Sequence, residues 1–318
     1  MGRSDTSGHV AILMGVYNGA HALKPQLASF ADQDHDDWQL IASDDGSTDA
    51  SRQILADFAL EQRSHGRSVA IVDGIQQGFA CNFLTLLANL PDQADWIATS
   101  DQDDQWHRDR LSRGIETLQD LPADVPALYC SRTWITDSEF NPRGLSKNFP
   151  KPPGFYNALV QNIASGNTTL LNRAAANIVR VAARDAVSVP GLIAHDWWMY
   201  QVISGVGGTV IWDPKPTLNY AQHEGNLIGA NDTWRARVHR LTQVFRGTFA
   251  RWNTANIAAL RQISDQLTPE NRTLMEEFAR LRQKPMIARV RAFSKLGIRR
   301  QSWPAQMVMY LALIIGKF

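Results

Sequence analysis

Short apolar runs alternate with helical patterns over the first hundred residues, and this alternation constrains the fold more than any other feature. Between the runs, apolar residues recur at intervals of three and four, as in Phe79, Phe83, Leu86 and Leu87, which is typical of an amphipathic helix. Strands separated by helices form βαβ units and a mainly parallel sheet. We therefore predict an α/β fold, with its first strands at Val10–Met14, Trp38–Ser43, Val69–Val72 and Trp96–Thr99.

Polar clusters follow three of these four predicted strands. Tyr17 and Asn18 come after the first strand, and Asp44 and Asp45 follow the second. The fourth strand runs into the segment Asp101-Gln102-Asp103-Asp104. In open parallel sheets, ligands bind beyond the carboxyl ends of the strands. We therefore expect these clusters to meet at one edge of the sheet and to form a binding site.

The acidic segment allows two interpretations. Asp101, Asp103 and Asp104 lie within four positions, and carboxylates so close together repel one another unless a cation is near. Oxygen ligands of this kind hold hard divalent cations. The alternative is a polar turn in which Asp104 caps a helix that begins near His107. The position at a strand end favours the metal site.

The rest of the chain divides into a less regular middle and a helical end. We predict a surface loop at Asn141–Gly154 and strands at Tyr129–Thr136, Gly166–Leu171, Thr209–Trp212 and Thr217–Tyr220. Long helical patterns follow Asp232. We therefore expect an α/β domain over residues 1–230 and a helical region over residues 231–318.

Composition excludes several classes of protein. The chain has 318 residues, 44% of them hydrophobic, and a formal net charge of +1, whereas nucleic-acid-binding proteins usually carry a strong basic excess. Cys81 and Cys130 form no CxxC pair, so we expect neither a zinc site nor a disulfide scaffold, and we expect a reducing compartment. The polar N-terminus predicts no secretory signal, and the longest apolar run, Met307 to Ile315, is too short to span a bilayer. We expect a soluble or peripheral protein.

The last segment is basic and amphipathic. Residues 283–318 contain no Asp or Glu, and their basic residues are interleaved with apolar ones such as Ile287, Phe293 and Trp303. Such a segment suits an anionic membrane surface, where each basic side chain contributes about 1 kcal/mol. The alternative is a solvated helix whose apolar face packs on the main domain. We predict peripheral membrane contact through residues 284–318.

The motifs resemble the successive signatures of family 2 glycosyltransferases with the GT-A fold. The general resemblance rests on Tyr17-Asn18-Gly19, Gln33, Asp44–Asp49 and Asp101–Asp104. A narrower resemblance, to the bacterial rhamnosyltransferase-like branch, rests on Ser100–Trp106, Gly166-Asn167-Thr168, His195-Asp196-Trp197-Trp198 and Gln222–Asn226. The motifs cover about residues 9–230 in order, so the resemblance implies that this part binds a nucleotide sugar and is catalytic.

The resemblance implies a donor site at the strand ends. Asp103 would bind Mg²⁺ or Mn²⁺ directly, with Asp101 between the metal and the ribose and Gln102 also at the donor. Asp104 would either contact these residues without binding the metal directly or cap a helix.

The nucleotide base is expected at the first two strand ends. Asp44 would accept the N3–H of uracil or thymine, with Asp45 beside it. Asn18 would hydrogen-bond the base, and Tyr17 would pack on it, although Tyr17 could also be a core residue.

The same resemblance places the acceptor at the third motif. Asp196 would be the catalytic base, although as an acidic residue it could simply start a helix. The family usually has Glu-Asp here, whereas this chain has His195 before Asp196. His195, Trp197 and Trp198 are expected at the acceptor. His223 would bind either the metal or the donor diphosphate, and Ala221 stands where many members have Arg.

Together these features predict a metal-dependent inverting glycosyltransferase. The resemblance implies dTDP-L-rhamnose as the donor and a glycan or lipid-linked acceptor, in surface polysaccharide or O-antigen synthesis at the cytoplasmic face of a bacterial membrane. A UDP-hexose donor is the alternative within this class. A nucleotidyltransferase is less favoured because Gly15–Ala20 contains no basic residue to hold a triphosphate. A non-catalytic sugar-binding module is less favoured because Asp101, Asp103 and Asp196 are all present.

Overall fold

The computed structural model describes residues 7–222 and 247–318. The strands in these residues are β1 (Val10–Val16), β2 (Trp38–Asp44), β3 (Ser68–Asp73), β4 (Trp96–Ser100), β5 (Gln105–Trp106), β6 (Ala127–Thr136), β7 (Pro142–Leu145), β8 (Leu170–Asn172) and β9 (Thr209–Ala221). They form one sheet in the order β3-β2-β1-β4-β8-β6-β9-β5, with β7 paired to β6.

Helices connect and cover these strands. In chain order they are α1 (Leu23–Ala31), α2 (Ser51–Arg63), α3 (Phe79–Ala88), α4 (Arg110–Leu118), α5 (Phe155–Ala158), α6 (Arg173–Ala186), α7 (His195–Gly205), α8 (Thr248–Gln262), α9 (Pro269–Arg280), α10 (Met286–Lys295) and α11 (Trp303–Ile314). The predicted α/β fold is confirmed.

The first half of the sheet is parallel, as predicted. Strands β3, β2, β1 and β4 lie side by side, and Val16 pairs with Asp44 while Met14 pairs with Ser100. The residues of β1 are buried almost without exception, because helices cover both faces of a parallel sheet. All four predicted strands are present, each slightly longer than the apolar run that indicated it.

The second half of the sheet is mixed. Strand β8 is antiparallel to β4 and to β6, whereas β6 and β9 are parallel. The two strands that we predicted at Thr209–Trp212 and Thr217–Tyr220 are one continuous strand. Its pairing with β6 shifts register next to Asp213, so the strand absorbs the Pro214 and Pro216 region as an irregularity instead of ending there. The predicted loop at Asn141–Gly154 contains the short strand β7. The predicted strand at Gly166–Leu171 is wrong over its first residues, since Gly166–Thr168 form a 3-10 turn and β8 begins at Leu170.

The described C-terminal helices pack into the same core as the sheet. One hydrophobic cluster joins Leu13 of β1 and Trp198 of α7 to Leu260 of α8 and Phe278 of α9. The boundary that we predicted near residue 230 lies outside the described residues, so the division into two domains stays a prediction.

The last two helices present two different faces. Phe293 of α10 packs edge-on against Tyr310 of α11, with ring centroids 5.5 Å apart, and Phe293 and Met309 are buried. Exposed apolar side chains lie on the outer surface, namely Met286, Ile287, Trp303, Met307 and Ile314. Among the residues described, none of the helices is both long and apolar enough to cross a bilayer.

Candidate active site

The polar clusters predicted from the sequence meet at one edge of the sheet. Strand β1 lies between β2 and β4, and all three run in the same direction. Tyr17, Asp44 and Asp101 therefore lie at neighbouring carboxyl ends, where a ligand of a parallel sheet binds.

Gln102 fixes the backbone of Tyr17. The Tyr17 N–H donates to Gln102 Oε1 at 2.9 Å, and Gln102 Nε2 donates to the Tyr17 carbonyl at 3.1 Å. The Tyr17 side chain is 59% exposed, so it is not a core residue. Its ring is available to stack on a planar ligand. A Cβ on Gly19 would lie 2.3 Å from Gln102 Oε1, so any other residue here would displace the Gln102 amide.

Asn18 joins the β1 end to the loop after β2. Its backbone has a φ of 47°, in the left-handed region that asparagine tolerates. Its Oδ1 accepts from the Thr48 N–H at 2.8 Å, and its own N–H donates to Ser47 Oγ at 2.9 Å. The side chain of Asn18 therefore holds the two loops together.

The carboxylates after β2 are engaged in loop contacts. Asp44 is buried, and its Oδ1 accepts from the Ser47 N–H at 3.0 Å while its Oδ2 lies 3.4 Å from Arg52 Nη1. The same Arg52 nitrogen lies 2.6 Å from Oδ1 of Asp73. Asp45 is less buried, and its Oδ1 accepts from the Gln76 N–H at 2.6 Å. At the predicted site of the nucleotide base, the Arg52 guanidinium therefore lies between the carboxylates of Asp44 and Asp73.

The acidic segment and Asp196 come together although they are far apart in the chain. Burial raises the pKa of Asp101 to about 7, and the nearby carboxylates of Asp103 and Asp196 add to this rise. A hard divalent cation binds oxygen ligands and would offset this excess of negative charge. Within the described ranges no group of three or more His, Cys or acidic side chains is arranged so that it could by itself hold a metal ion. His223, the third predicted ligand, lies outside the described residues.

Asp104 is not a helix cap. Helix α4 begins at Arg110, and Asp109 occupies its N-cap position, so the capping alternative is wrong. Asp104 is instead fully buried, its N–H donates to Gln26 Oε1 at 2.9 Å, and its Oδ2 accepts from Asn167 Nδ2 at 2.6 Å. Burial and the neighbouring acids Asp101 and Asp103 raise the pKa of Asp104 well above its usual value.

Asp196 lies in the first turn of α7. Its Oδ2 accepts from the Gly166 N–H at 3.0 Å, and its Oδ1 accepts from the Trp197 N–H at 2.6 Å. Burial raises the pKa of Asp196, and these hydrogen bonds reduce the rise. Asp196 is thus both a first-turn residue and a carboxylate beside the acidic segment.

The side chains around Asp196 that were expected at the acceptor are buried. His195 stacks on Phe83 with ring centroids 3.8 Å apart, and burial lowers the pKa of His195 to about 3, so its ring is neutral. Trp197 Nε1 donates to the Ala158 carbonyl at 2.7 Å. Trp198 is fully buried, and this burial does not support its predicted contact with an acceptor.

Comparison with known proteins identifies the family. Residues 11–177 match the family described as Glycosyl transferase family 2. The chain belongs to glycosyl transferase family 2. It is 28% identical over 239 residues to the dTDP-rhamnosyl transferase RfbG of Shigella flexneri, covering 72% of this chain and 78% of that protein.

Solved structures show the same fold as this family 2 glycosyltransferase. A mannosyltransferase of Pyrobaculum calidifontis in complex with GDP-Man and Mn²⁺ matches with a TM-score of 0.51 at 16% identity, over 98% of this chain and 86% of that one. Residues 1–349 of TarS from S. aureus in complex with UDP-GlcNAc match with a TM-score of 0.53 at 13% identity, over 97% and 90%. The fold is GT-A.

Sequence reasoning missed two cations of this glycosyltransferase. Arg110 was not predicted, although helical spacing places it on the inward face of α4 with Leu111, Gly114 and Ile115. Arg52 and its partner Asp73 were also missed. Asp73 ends β3, so the rule that placed Asp44 at the sheet edge would have indicated it.

Proposed function

We propose that this glycosyltransferase is a metal-dependent, inverting enzyme that moves a sugar from a nucleoside diphosphate to a hydroxyl group of a glycan or a lipid-linked acceptor. One arrangement carries the proposal: Asp104 of the acidic segment accepts from Asn167, and Asp196 accepts from the adjacent Gly166. The acids proposed to bind the donor therefore lie beside the candidate base.

Asp196 would act as the base. The acceptor oxygen attacks the anomeric carbon as the bond from that carbon to the diphosphate oxygen breaks, and the configuration at the carbon inverts. Asp196 takes the proton of the attacking hydroxyl group. A buried carboxylate with a raised pKa is a stronger base than an exposed one, which favours this transfer.

Asp103 and Asp101 would hold a divalent cation, Mg²⁺ or Mn²⁺. When bound, such a cation offsets the negative charge that develops on the leaving diphosphate. Two carboxylates completed by phosphate oxygens and water are a usual set of ligands for Mg²⁺. His223 would contact either the cation or the diphosphate. A mannosyltransferase of similar fold is in complex with GDP-Man and Mn²⁺, which supports the use of a divalent cation.

The proposed donor is dTDP-L-rhamnose, because the Shigella flexneri relative is named a dTDP-rhamnosyl transferase. The exposed ring of Tyr17 would stack on the thymine. Asp44 and Asp45 would lie beside the base and ribose, with Asn18 and Gln102 holding the loops that line this end of the site. A UDP-hexose remains the alternative donor.

The proposed setting is an anionic membrane at the cytoplasmic side of a bacterium, where a lipid-linked acceptor in surface polysaccharide synthesis would be found. The outer surface of α10 and α11 combines exposed apolar side chains, including Ile287 and Trp303, with exposed basic ones. The exposed basic residues on and next to these helices are Lys284, Arg291, Lys295, Arg299 and Lys317. Apolar burial together with attraction to anionic lipid is how interfacial helices bind membranes.

The deciding experiment measures release of nucleoside diphosphate. The purified chain is incubated with dTDP-L-rhamnose, UDP-glucose, UDP-GlcNAc or GDP-mannose, with Mg²⁺, Mn²⁺ or EDTA. We expect slow hydrolysis of dTDP-L-rhamnose that requires the metal and is lost in Asp103→Ala. Asp57→Ala, which removes an exposed acid on α2, is the matched control and should retain it. Release from a UDP-sugar instead would replace the donor assignment, and equal release with EDTA would contradict the metal dependence.

A further inference from the structure

We propose that Arg110, Thr99 and Asn167 are positioning residues that set the relation between the donor-binding acids and Asp196. They act through the turn Ser165–Thr169, which lies between the two groups. This inference rests on the proposed function, because it assumes that Asp101 and Asp103 bind the donor and that Asp196 is the base.

Arg110 ties the turn to the end of β4. It is 2% exposed, and its Nη2 donates to the carbonyl oxygens of Asn167 at 2.8 Å, Thr99 at 3.1 Å and Thr169 at 3.4 Å. Its guanidinium carbon lies 3.4 Å from the centroid of the Trp106 ring. Burial lowers the pKa of Arg110 to about 9, although Asp104 favours its charged form. Because this buried cation donates its hydrogen bonds to backbone carbonyls, it holds those peptides in place.

Gly166 joins the end of β4 to Asp196. Its carbonyl oxygen accepts from Thr99 Oγ1 at 2.5 Å, and its N–H donates to Asp196 Oδ2 at 3.0 Å. Thr99 lies two residues before Asp101, so a single residue, Gly166, links the end of β4 to the proposed base. A Cβ on Gly166 would lie 2.8 Å from His195 Nε2, so any other residue here would displace the buried His195 ring.

Asn167 fixes the turn from its other side. Its Nδ2 donates to Asp104 Oδ2 at 2.6 Å, and its Oδ1 accepts from Ser165 Oγ at 2.8 Å. Asp104 belongs to the acidic segment itself, so Asn167 connects that segment to the turn directly. Thr99, Arg110 and Asn167 therefore give three separate links between the segment that contains Asp101–Asp104 and the turn that contacts Asp196.

The experiment compares two variants with two matched controls. Thr99→Val removes the hydroxyl group that reaches Gly166 at nearly constant volume, and Asn167→Ala removes the link to Asp104. Thr217→Val removes another buried hydroxyl group, which contacts Ser131 Oγ at 2.6 Å. Asn172→Ala removes another buried amide, which bonds Ala127, Ala175 and Val125 at the far end of β8. Thermal stability, kcat, donor KM and the pH dependence of kcat/KM are measured for all four.

We expect kcat to fall about 10- to 100-fold in Thr99→Val and Asn167→Ala, because small displacements of reacting groups have effects of this size. Donor KM should change less than three-fold. The acid limb of the pH profile should move to higher pH, since a poorly aligned Gly166 N–H stabilises the Asp196 carboxylate less. Arg110→Lys, which keeps the charge without the planar fork, should restore part of the activity that Arg110→Met loses.

Two outcomes separate this inference from the proposed function. If Thr99→Val and Asn167→Ala lose only thermal stability, as the two controls should, and keep kcat and the pH profile, the positioning role is wrong while the enzyme assignment stands. If Asp196→Ala transfers sugar as well as the unmodified chain does, Asp196 is not the base and the proposed function itself fails.

Discussion

The side-chain amide of Gln102 bonds both the N–H and the carbonyl group of Tyr17. The exposed aromatic ring at the end of β1 is therefore held by the same segment that carries Asp101 and Asp103. Gln102 was expected at the donor, and under the proposed function it would act on the donor through Tyr17.

This relationship predicts an effect on donor affinity. Tyr17→Ala should raise donor KM at least about five-fold, the lower end of the range for loss of one base–aromatic stack. Gln102→Ala should raise it in the same direction by freeing the Tyr17 backbone. Tyr156→Ala, which removes another exposed tyrosine, is the control and should leave KM unchanged. An unchanged KM in Tyr17→Ala would show that the ring does not contact the donor.

Asp196→Asn tests the base. The amide keeps the size of the side chain but takes up no proton, so we expect kcat to fall about 10²- to 10⁴-fold. The dissociation constant of the donor, measured by calorimetry without acceptor, should stay within two-fold. A loss of donor binding with unchanged kcat would assign Asp196 to the donor instead.

Asp101→Asn should stabilise the unliganded chain while it impairs transfer. The folded chain keeps the Asp101 proton up to about pH 7, whereas an unfolded chain releases it near pH 4. Stability from this group therefore falls as pH rises through that window. We expect Asp101→Asn to raise Tm by ~2 °C or more at pH 8, and by less at pH 5. Asp57→Asn should show no such difference between the two pH values.

Trp198→Phe separates packing from acceptor binding. Because Trp198 is fully buried, the smaller ring should lower the free energy of unfolding by ~1–3 kcal/mol. The KM of the acceptor should not change. A raised acceptor KM at unchanged stability, measured by denaturant titration, would restore Trp198 to the acceptor site.

The membrane proposal is tested with lipid vesicles. The double variant Ile287→Ser and Trp303→Ser should reduce co-sedimentation with vesicles that contain anionic lipid. Leu60→Ser removes an equally exposed apolar side chain from α2 and should bind as the unmodified chain does. Binding that is equal for neutral and anionic vesicles, or unaffected by the double variant, would contradict the proposal.

The strand ends could be predicted because local patterns determine them. The apolar runs at β1, β2 and β4 end where polar residues begin, and parallel pairing brings those ends together. The continuous strand β9 was not predictable in this way, since Pro214 and Pro216 interrupt a local pattern. Its pairing with β6, a long-range contact, overrides the local signal.

The candidate site was harder to predict wherever a role depends on burial. Nothing local distinguishes Asp104, which is buried against Asn167, from the neighbouring Asp103. His195 and Trp198 belong to the same motif as Asp196. His195, however, stacks on Phe83, and Trp198 lies in the core. Motif spacing identifies the segment, whereas tertiary packing decides which of its side chains face a ligand.

The sheet order has a mechanical consequence for the acids. Strands β4 and β5 are consecutive in the chain, yet β8, β6 and β9 lie between them in the sheet. Residues 101–104 must bridge these two strands, and the five Cα–Cα steps from Ser100 to Gln105 reach at most ~18 Å. The sheet must curl to bring β5 within that distance of β4, and residues 101–104 are therefore nearly as short as the connection allows. Asp101 and Asp103 are therefore held close together in the chain, and the raised pKa of Asp101 reflects its burial together with their repulsion.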